Sequence, residues 1–93
     1  MEKLTEISGS GPVSVDGNVV GHCAYEINVY KDVNGRVIGR GHALGDPLTL
    51  GKMYQGQRVQ LAQNEEKSFF VVTGDWSPGD RSILVEAGPD IVA

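Results

Sequence analysis

The side chains best suited to metal binding or nucleophilic chemistry are the only cysteine of the chain and its two histidines: Cys23, His22 and His42. Zinc sites commonly use a Cys-x-x-Cys or His-x-x-x-His spacing, and this sequence has neither. Cys–His catalysis requires the two groups within hydrogen-bond reach, whereas the strand register derived below places Cys23 and the histidines on opposite faces of a sheet. The sequence therefore predicts no metal site, no cofactor and no catalytic residue. Cys23 is interpreted as a small buried apolar side chain.

A glycine-rich segment, GRGHALG at residues 39–45, suggests a second kind of chemistry, phosphate binding. Its third glycine comes one residue too late for the G-x-G-x-x-G pattern, and the segment lies within a predicted strand rather than at a turn that opens a helix. We therefore interpret Gly39 and Gly41 as points where the strand bends or where another backbone approaches closely.

The element that positions these residues is a predicted β-hairpin at residues 22–44. Its loop, Val-Asn-Gly at 33–35, has three residues, and the last residue of such a loop is usually left-handed, which suits Gly35. A two-residue loop would place Arg40 and His42 in the core, where unpaired charge is costly, so we prefer the three-residue loop. The inward pairs are then Lys31 with Val37, Val29 with Gly39, Ile27 with Gly41 and Tyr25 with Ala43.

The outer side of this hairpin carries polar and aromatic pairs. The same register places His42 opposite Glu26, Arg40 opposite Asn28 and Ile38 opposite Tyr30. Such cross-strand pairs contribute about 0.2–1 kcal/mol each, so one interpretation is purely structural and the other is a recognition surface. The candidate partner-binding residues are Glu26, Tyr30, Ile38, Arg40 and His42 on the hairpin, with Phe69 and Trp76 from the C-terminal half.

The N-terminal region contains two further strand signals separated by a breaker cluster. We predict an edge strand at residues 3–8, a break at the Gly-Ser-Gly-Pro of residues 9–12, and a three-residue turn at residues 16–18. That turn would direct Val13, Val15 and Val19 to the core and begin one long strand at residues 19–31.

After residue 44 the apolar period changes from that of a strand to that of a helix. Asp46 is a good N-cap and Pro47 suits the first helical position, while Leu50, Met53 and Tyr54 recur at helical spacing. We predict a helix over Pro47–Gln55 that Gly56 ends. The alternative is that residues 48–49 extend a strand.

The C-terminal half is predicted to form a meander. A strand at residues 57–63 directs Val59 and Leu61 inward, and a two-residue loop at residues 65–66 would pair Leu61 with Phe70 and Val59 with Val72. Phe69 then points outward together with Val71. A loop at residues 75–80 presents Trp76 either as an exposed binding anchor or as a lid over one end of the fold. The last strand, at residues 81–87, directs Ile83 and Val85 inward, and Gly88 and Pro89 stop it.

These elements predict an all-β, mostly antiparallel fold. The chain of 93 residues is expected to form a single domain at residues 1–93, a small closed or partly open β-barrel of about six to seven strands with one short helix near residues 47–55. Twelve acidic residues outnumber eight scattered basic ones, which disfavours nucleic-acid binding, and no apolar run approaches the about 20 residues of a membrane helix. One cysteine and the lack of a recognisable signal segment suggest the cytoplasm.

The predicted outer face carries several apolar side chains: Ile38, Leu44, Phe69, Val71 and Leu84. One short helix can cover only part of them, so we expect a second chain to cover the rest, most simply as a homodimer. The function expected is therefore a non-catalytic cytoplasmic interaction or assembly module that self-associates through the outer face of its central hairpin. Two alternatives are a barrel that carries a small hydrophobic ligand beside Gly39 and Gly41, and an enzyme whose site a dimer completes.

Overall fold

The computed structural model describes residues 2–63 and 67–88, which form six antiparallel strands and one helix. The elements in chain order are β1 (Glu2–Val15), β2 (Asn18–Lys31), β3 (Val37–Leu44), α1 (Pro47–Gln55), β4 (Val59–Ala62), β5 (Ser68–Thr73) and β6 (Ser82–Ala87). The strands close into a barrel in the order β1-β2-β3-β6-β5-β4, with β4 returning to β1. The predicted small antiparallel barrel with one short helix is confirmed.

The first strand is longer than predicted, because it continues through residues 9–12 without a break. Gly9 pairs with Tyr25 and Pro12 with His22 on β2. The Tyr25 ring lies over Gly9, where an added Cβ would be 2.9 Å from the Tyr25 hydroxyl oxygen. This glycine therefore makes room for an aromatic ring within the strand instead of ending it, and the predicted break was wrong.

The turn between β1 and β2 also differs from the prediction. Val15 pairs with Asn18, so the loop has two residues, Asp16 and Gly17, both with positive φ. Such a turn suits the twist of a hairpin. The two-residue loop pairs Val19 with Ser14, which lies between the buried residues Val13 and Val15, so Val19 points outward and is 66% exposed. The predicted inward position of Val19 was wrong.

The central hairpin formed by β2 and β3 has the predicted register at every pair. Gly35 has a φ of +79°, and the Asp32 carboxylate accepts hydrogen bonds from the backbone N–H groups of Asn34 and Arg36, at 2.8 and 2.9 Å. At Gly41 an added Cβ would overlap the Glu26 carbonyl oxygen. This contact confirms the expected close approach of another backbone at this glycine.

Helix α1 has the predicted limits. Asp46 caps it by accepting a hydrogen bond from the Thr49 N–H at 2.9 Å, and Pro47 is its first residue. Leu50 and Met53 are fully buried, while Thr49 lies so close to Gly21 that no Cβ would fit there. The helix therefore packs its apolar side on the barrel and completes the core.

The β4–β5 pair has a different register from the one predicted. Leu61 pairs with Phe69 and Val59 with Val71, so Phe69 points into the core with only 1% of its surface exposed. Phe70 points outward instead. The predicted loop at residues 65–66 lies outside the described residues, but the Gln63 N–H donates to the Lys67 carbonyl, and three residues separate this pair. A three-residue connection moves the register by one position, which is why the predicted orientation of Phe69 and Val71 was wrong.

The last strand begins one residue later than predicted and ends where expected. Ile83 and Val85 are buried as predicted, and Gly88 lies just beyond the strand. Pro89, the other half of the predicted stop signal, lies outside the described residues.

Large side chains fill the barrel interior. Tyr25 packs edge-on against Phe69, with ring centroids 5.4 Å apart, and its hydroxyl donates to the Ala62 carbonyl at 3.1 Å. The inward space beside Gly41 is occupied by the backbone of β2. The room that Gly41 was expected to leave for a ligand is therefore taken up by the protein itself.

Candidate functional site

The candidate site is the outward side of the sheet formed by β2, β3, β6 and β5, here called the outer face. It follows from the alternation of each strand, because every inward residue of the core is followed by an outward one. The outer face consists of Glu26, Asn28, Tyr30, Ile38, Arg40, His42, Leu44, Phe70, Val72, Leu84 and Glu86.

An ion pair lies at the centre of the outer face. Arg40 pairs with Glu86 across β3 and β6, and its Nε lies 2.9 Å from Glu86 Oε1. Both side chains are more than half exposed, so the pair contributes at most about 1 kcal/mol to the stability of the fold. Its charges are consequently available to a binding partner.

Large apolar side chains surround this ion pair. Val72 lies opposite Glu86 and is 71% exposed, and Leu84 lies opposite His42 and is 51% exposed. Leu44 and Phe70 extend the apolar area along β3 and β5, and both are also exposed. The outer face thus combines apolar side chains with one positive and one negative charge.

Two shallow grooves mark the same area. One has a volume of about 430 Å³ and is lined by Arg40, Val72, Leu84 and Glu86 among others; the second has about 250 Å³ and extends towards Ile38. Arg40, Val72 and Glu86 line both grooves. These three side chains therefore form a ridge with a groove on either side.

The structure brings together most, but not all, of the residues predicted for the site. Glu26 and His42 are direct cross-strand neighbours, as are Tyr30 and Ile38, and Arg40 lies between these pairs along β3. Phe69 is buried in the core, so the structure removes it from the predicted surface.

Two outer-face residues central to the site, Glu86 and Val72, were missed by the sequence reasoning. The alternation of residues 82–87 does place Glu86 outward. No sequence signal shows that β6 lies beside β3, which is what brings Glu86 to Arg40.

Trp76 lies over helix α1, as the predicted lid would, and is not part of the outer face. Its ring is 5.8 Å from that of Tyr54 and contacts the position of Gly51, while its indole N–H donates to the Asp80 carbonyl at 3.0 Å. Trp76 also packs partly against the core. The contacts that hold its ring therefore come from α1, the core and its own loop.

The groups that suggested catalytic or metal chemistry differ in their exposure: Cys23 is buried, whereas His22 and His42 are exposed. Cys23 is buried on the inner side of β2, and burial raises the pKa of its thiol to about 11, which keeps the thiol protonated near neutral pH. Within residues 2–63 and 67–88, no three His, Cys, Asp or Glu side chains lie close enough to hold a metal ion. The described part of the chain also contains no helix with the length and apolarity needed to cross a membrane.

Comparison with protein-family models, curated proteins and solved structures found no match to this chain. The class that the fold and the site define is a closed six-stranded antiparallel β-barrel with a mixed apolar and charged outer face.

Proposed function

We propose that this protein is a non-catalytic cytoplasmic interaction or assembly module that self-associates through its outer face. The observation that carries the proposal is the group of exposed apolar side chains, Val72, Leu84, Leu44 and Phe70, on one continuous sheet around the Arg40–Glu86 pair. Contiguous exposed apolar patches with polar groups among them are typical of surfaces that bind another protein.

The composition of the outer face supports a protein partner rather than a nucleic acid. Interface centres are enriched in aromatic residues and arginine, and Tyr30, Phe70 and Arg40 provide these types on the outer face. A phosphate backbone would require a cluster of basic residues, whereas Arg40 lies beside Glu86 and close to Glu26. The face therefore fits a partner that also combines apolar area with both signs of charge.

The proposal predicts a specific effect of one substitution on self-association. Val72→Lys places a charge in the centre of the outer face, beside Glu86, where contact with a partner would remove that charge from water at a cost. We expect sedimentation equilibrium at micromolar concentration to show a dimer for the wild type and a monomer for Val72→Lys. The matched control is Val19→Lys, because Val19 is also a strand valine of similar exposure but pairs with Ser14 on β1, beyond the part of β2 that pairs with β3.

Two results would contradict the proposal. A wild-type chain that is monomeric over the whole concentration range would argue against self-association. A Val72→Lys variant that associates as strongly as Val19→Lys would show that the outer face does not form the contact.

A second candidate function is small-molecule binding, which the groove of about 430 Å³ favours because this volume falls in the range of ligand sites. Buried side chains fill the barrel interior. The candidate site for such a ligand is therefore the groove beside Arg40 and Leu84 and not the inside of the barrel. Native mass spectrometry of gently purified protein tests this candidate, because a bound molecule adds mass to the monomer.

The enzyme hypothesis rests on Glu26, Arg40 and His42 and receives less support. All three side chains are exposed on the open side of a sheet, whereas acid–base catalysis requires groups that converge on a substrate in a concave site. A dimer mate would have to supply the missing walls.

A further inference from the structure

If the outer face self-associates as proposed above, its charges and shape also determine how the second copy is oriented. We infer that the outer face binds a second copy of this chain across a two-fold axis, so that Arg40 of each copy contacts Glu86 of the other. Two observations carry the inference: the self-complementary charges at the centre of the face and the ridge with a groove on either side.

The Arg40–Glu86 ion pair leaves some of its hydrogen-bonding atoms available to a partner. Arg40 uses its Nε to contact one carboxylate oxygen of Glu86. A guanidinium group has five N–H donors and a carboxylate has two oxygens, so each copy retains donors on Arg40 and an acceptor on Glu86. A two-fold interface places the same patch on both sides, and a patch with adjacent positive and negative groups is complementary to its own copy.

The ridge formed by Arg40, Val72 and Glu86 gives the outer face a shape that can fit its own copy. Val72 is more exposed than the other apolar residues of the outer face, and the larger of the two grooves lies directly beside it. A two-fold axis that crosses this area places the ridge of each copy in the groove of the other. Apolar surface on Val72 and Leu84 is then removed from water, which favours association.

Edge-to-edge pairing of strands is the other common way for a β protein to associate, and the structure disfavours it. Among the described residues, the N-terminal part of β1 pairs only with β2, which leaves one edge open. That edge carries a register shift at Leu4, an exposed Lys3–Glu6 ion pair and Pro12. Bulges, charges and proline are the features that protect strand edges from pairing, so the face is the better contact surface.

Charge reversal tests the inference directly. Arg40→Glu places two negative groups at the centre of the face, and Glu86→Arg places two positive groups there. We expect each variant alone to have at least about a tenfold higher dimer dissociation constant than the wild type, because like charges face each other across the axis. An equimolar mixture of the two variants should form a heterodimer, since each copy then supplies the charges that the other lacks.

Native mass spectrometry distinguishes the three possible dimers in the mixture by mass, and sedimentation gives the dissociation constants. Lys52→Glu is the matched control, because Lys52 is an exposed cation on α1, outside the outer face, and its reversal changes the net charge by the same amount as Arg40→Glu. Thermal unfolding of each variant confirms that it is folded. The control should dimerise like the wild type.

The outcomes separate this inference from the proposed function. Heterodimers that exceed both homodimers in the mixture support the exchanged ion pairs. A wild-type dimer that neither reversal weakens, or single variants that stay monomeric when mixed, would overturn the two-fold arrangement while self-association itself stands. A monomeric wild type would overturn both.

Discussion

Tyr25 shows how a single side chain organises the interior of this barrel. Its ring packs on Phe69 from β5 and over Gly9 from β1, and its hydroxyl reaches the Ala62 carbonyl on β4. One residue of β2 thereby links four strands. Cys23 occupies the next inward position and is also buried, so this region of β2 holds two titratable groups inside the core.

At the residue scale, Cys23 predicts a loss of stability at alkaline pH. Burial raises the pKa of its thiol from the ordinary value of 9.0 to about 11, and burial raises the pKa of Tyr25 as well. A group with a higher pKa in the folded state stabilises the fold below its unfolded pKa, and this contribution is lost as the pH rises through the folded pKa. We therefore expect the free energy of unfolding to fall between about pH 9 and pH 11.

Denaturant unfolding at a series of pH values checks this prediction, with Cys23→Ala as the comparison. The variant lacks the thiol, so its free energy of unfolding should decline less steeply over this pH range than that of the wild type. Equal slopes for the two proteins would show that Cys23 does not contribute to the pH dependence.

At the scale of elements, β5 shows the limit of apolar alternation as a guide to register. Its sequence has four consecutive large apolar residues, Phe69 to Val72, and either alternate pair could face the core. The connection to β4 decides between them, because a change of one residue in loop length moves every side chain to the other face. The observed register buries Phe69 and exposes Phe70.

The two phenylalanines of β5 provide a matched test of this register. Phe69→Ala should cost about 3–5 kcal/mol, since it removes a buried ring that packs against Tyr25 and leaves a cavity. Phe70→Ala should cost only about 1 kcal/mol, mostly from the contact of its ring with the Arg58 guanidinium at 5.4 Å. Chemical denaturation measures both values, and a larger loss for Phe70→Ala would contradict the register.

At the scale of the whole molecule, short ladders join the β4–β5 pair to the rest of the barrel. β1 and β2 pair along nearly their full length, whereas β1 and β4 pair only where residues 13–15 meet residues 59–61, and β5 and β6 only where residues 71–73 meet residues 85–87. β4 itself is the shortest strand. The closure of the barrel therefore depends on a small part of β1 and on the buried side chains of Val13, Val59 and Leu61.

These short ladders predict where the native barrel opens first. Regions with few buried contacts and short ladders open at a lower free energy than the rest of a protein. We expect native-state hydrogen exchange to show that backbone amides of β4 exchange through a partial opening, while those of β2 and β3 exchange only by global unfolding. A single common free energy of opening for the amides of β4 and for those of β2 and β3 would contradict this expectation.

The predictable part of the candidate site is the part that the central hairpin supplies. The pairs Glu26–His42 and Tyr30–Ile38 follow from a loop of three residues within one hairpin, and the structure confirms them. The partner of Arg40 across β6 could not be predicted, because β3 and β6 are separated by helix α1 and the β4–β5 pair. Short-range turn chemistry fixes the first contact, while long-range strand order fixes the second.

The sequence by itself determined the local elements: the hairpin register around Gly35, the start of α1 at Asp46 and Pro47, and the inward residues of β6. These depend on turn geometry, helix capping and alternation, which act over a few residues. Only the tertiary structure decided that β1 continues past Gly9, that β5 buries Phe69, and that Arg40 meets Glu86. Each of these depends on which distant strand lies alongside, and the packing of the closed barrel as a whole sets that order.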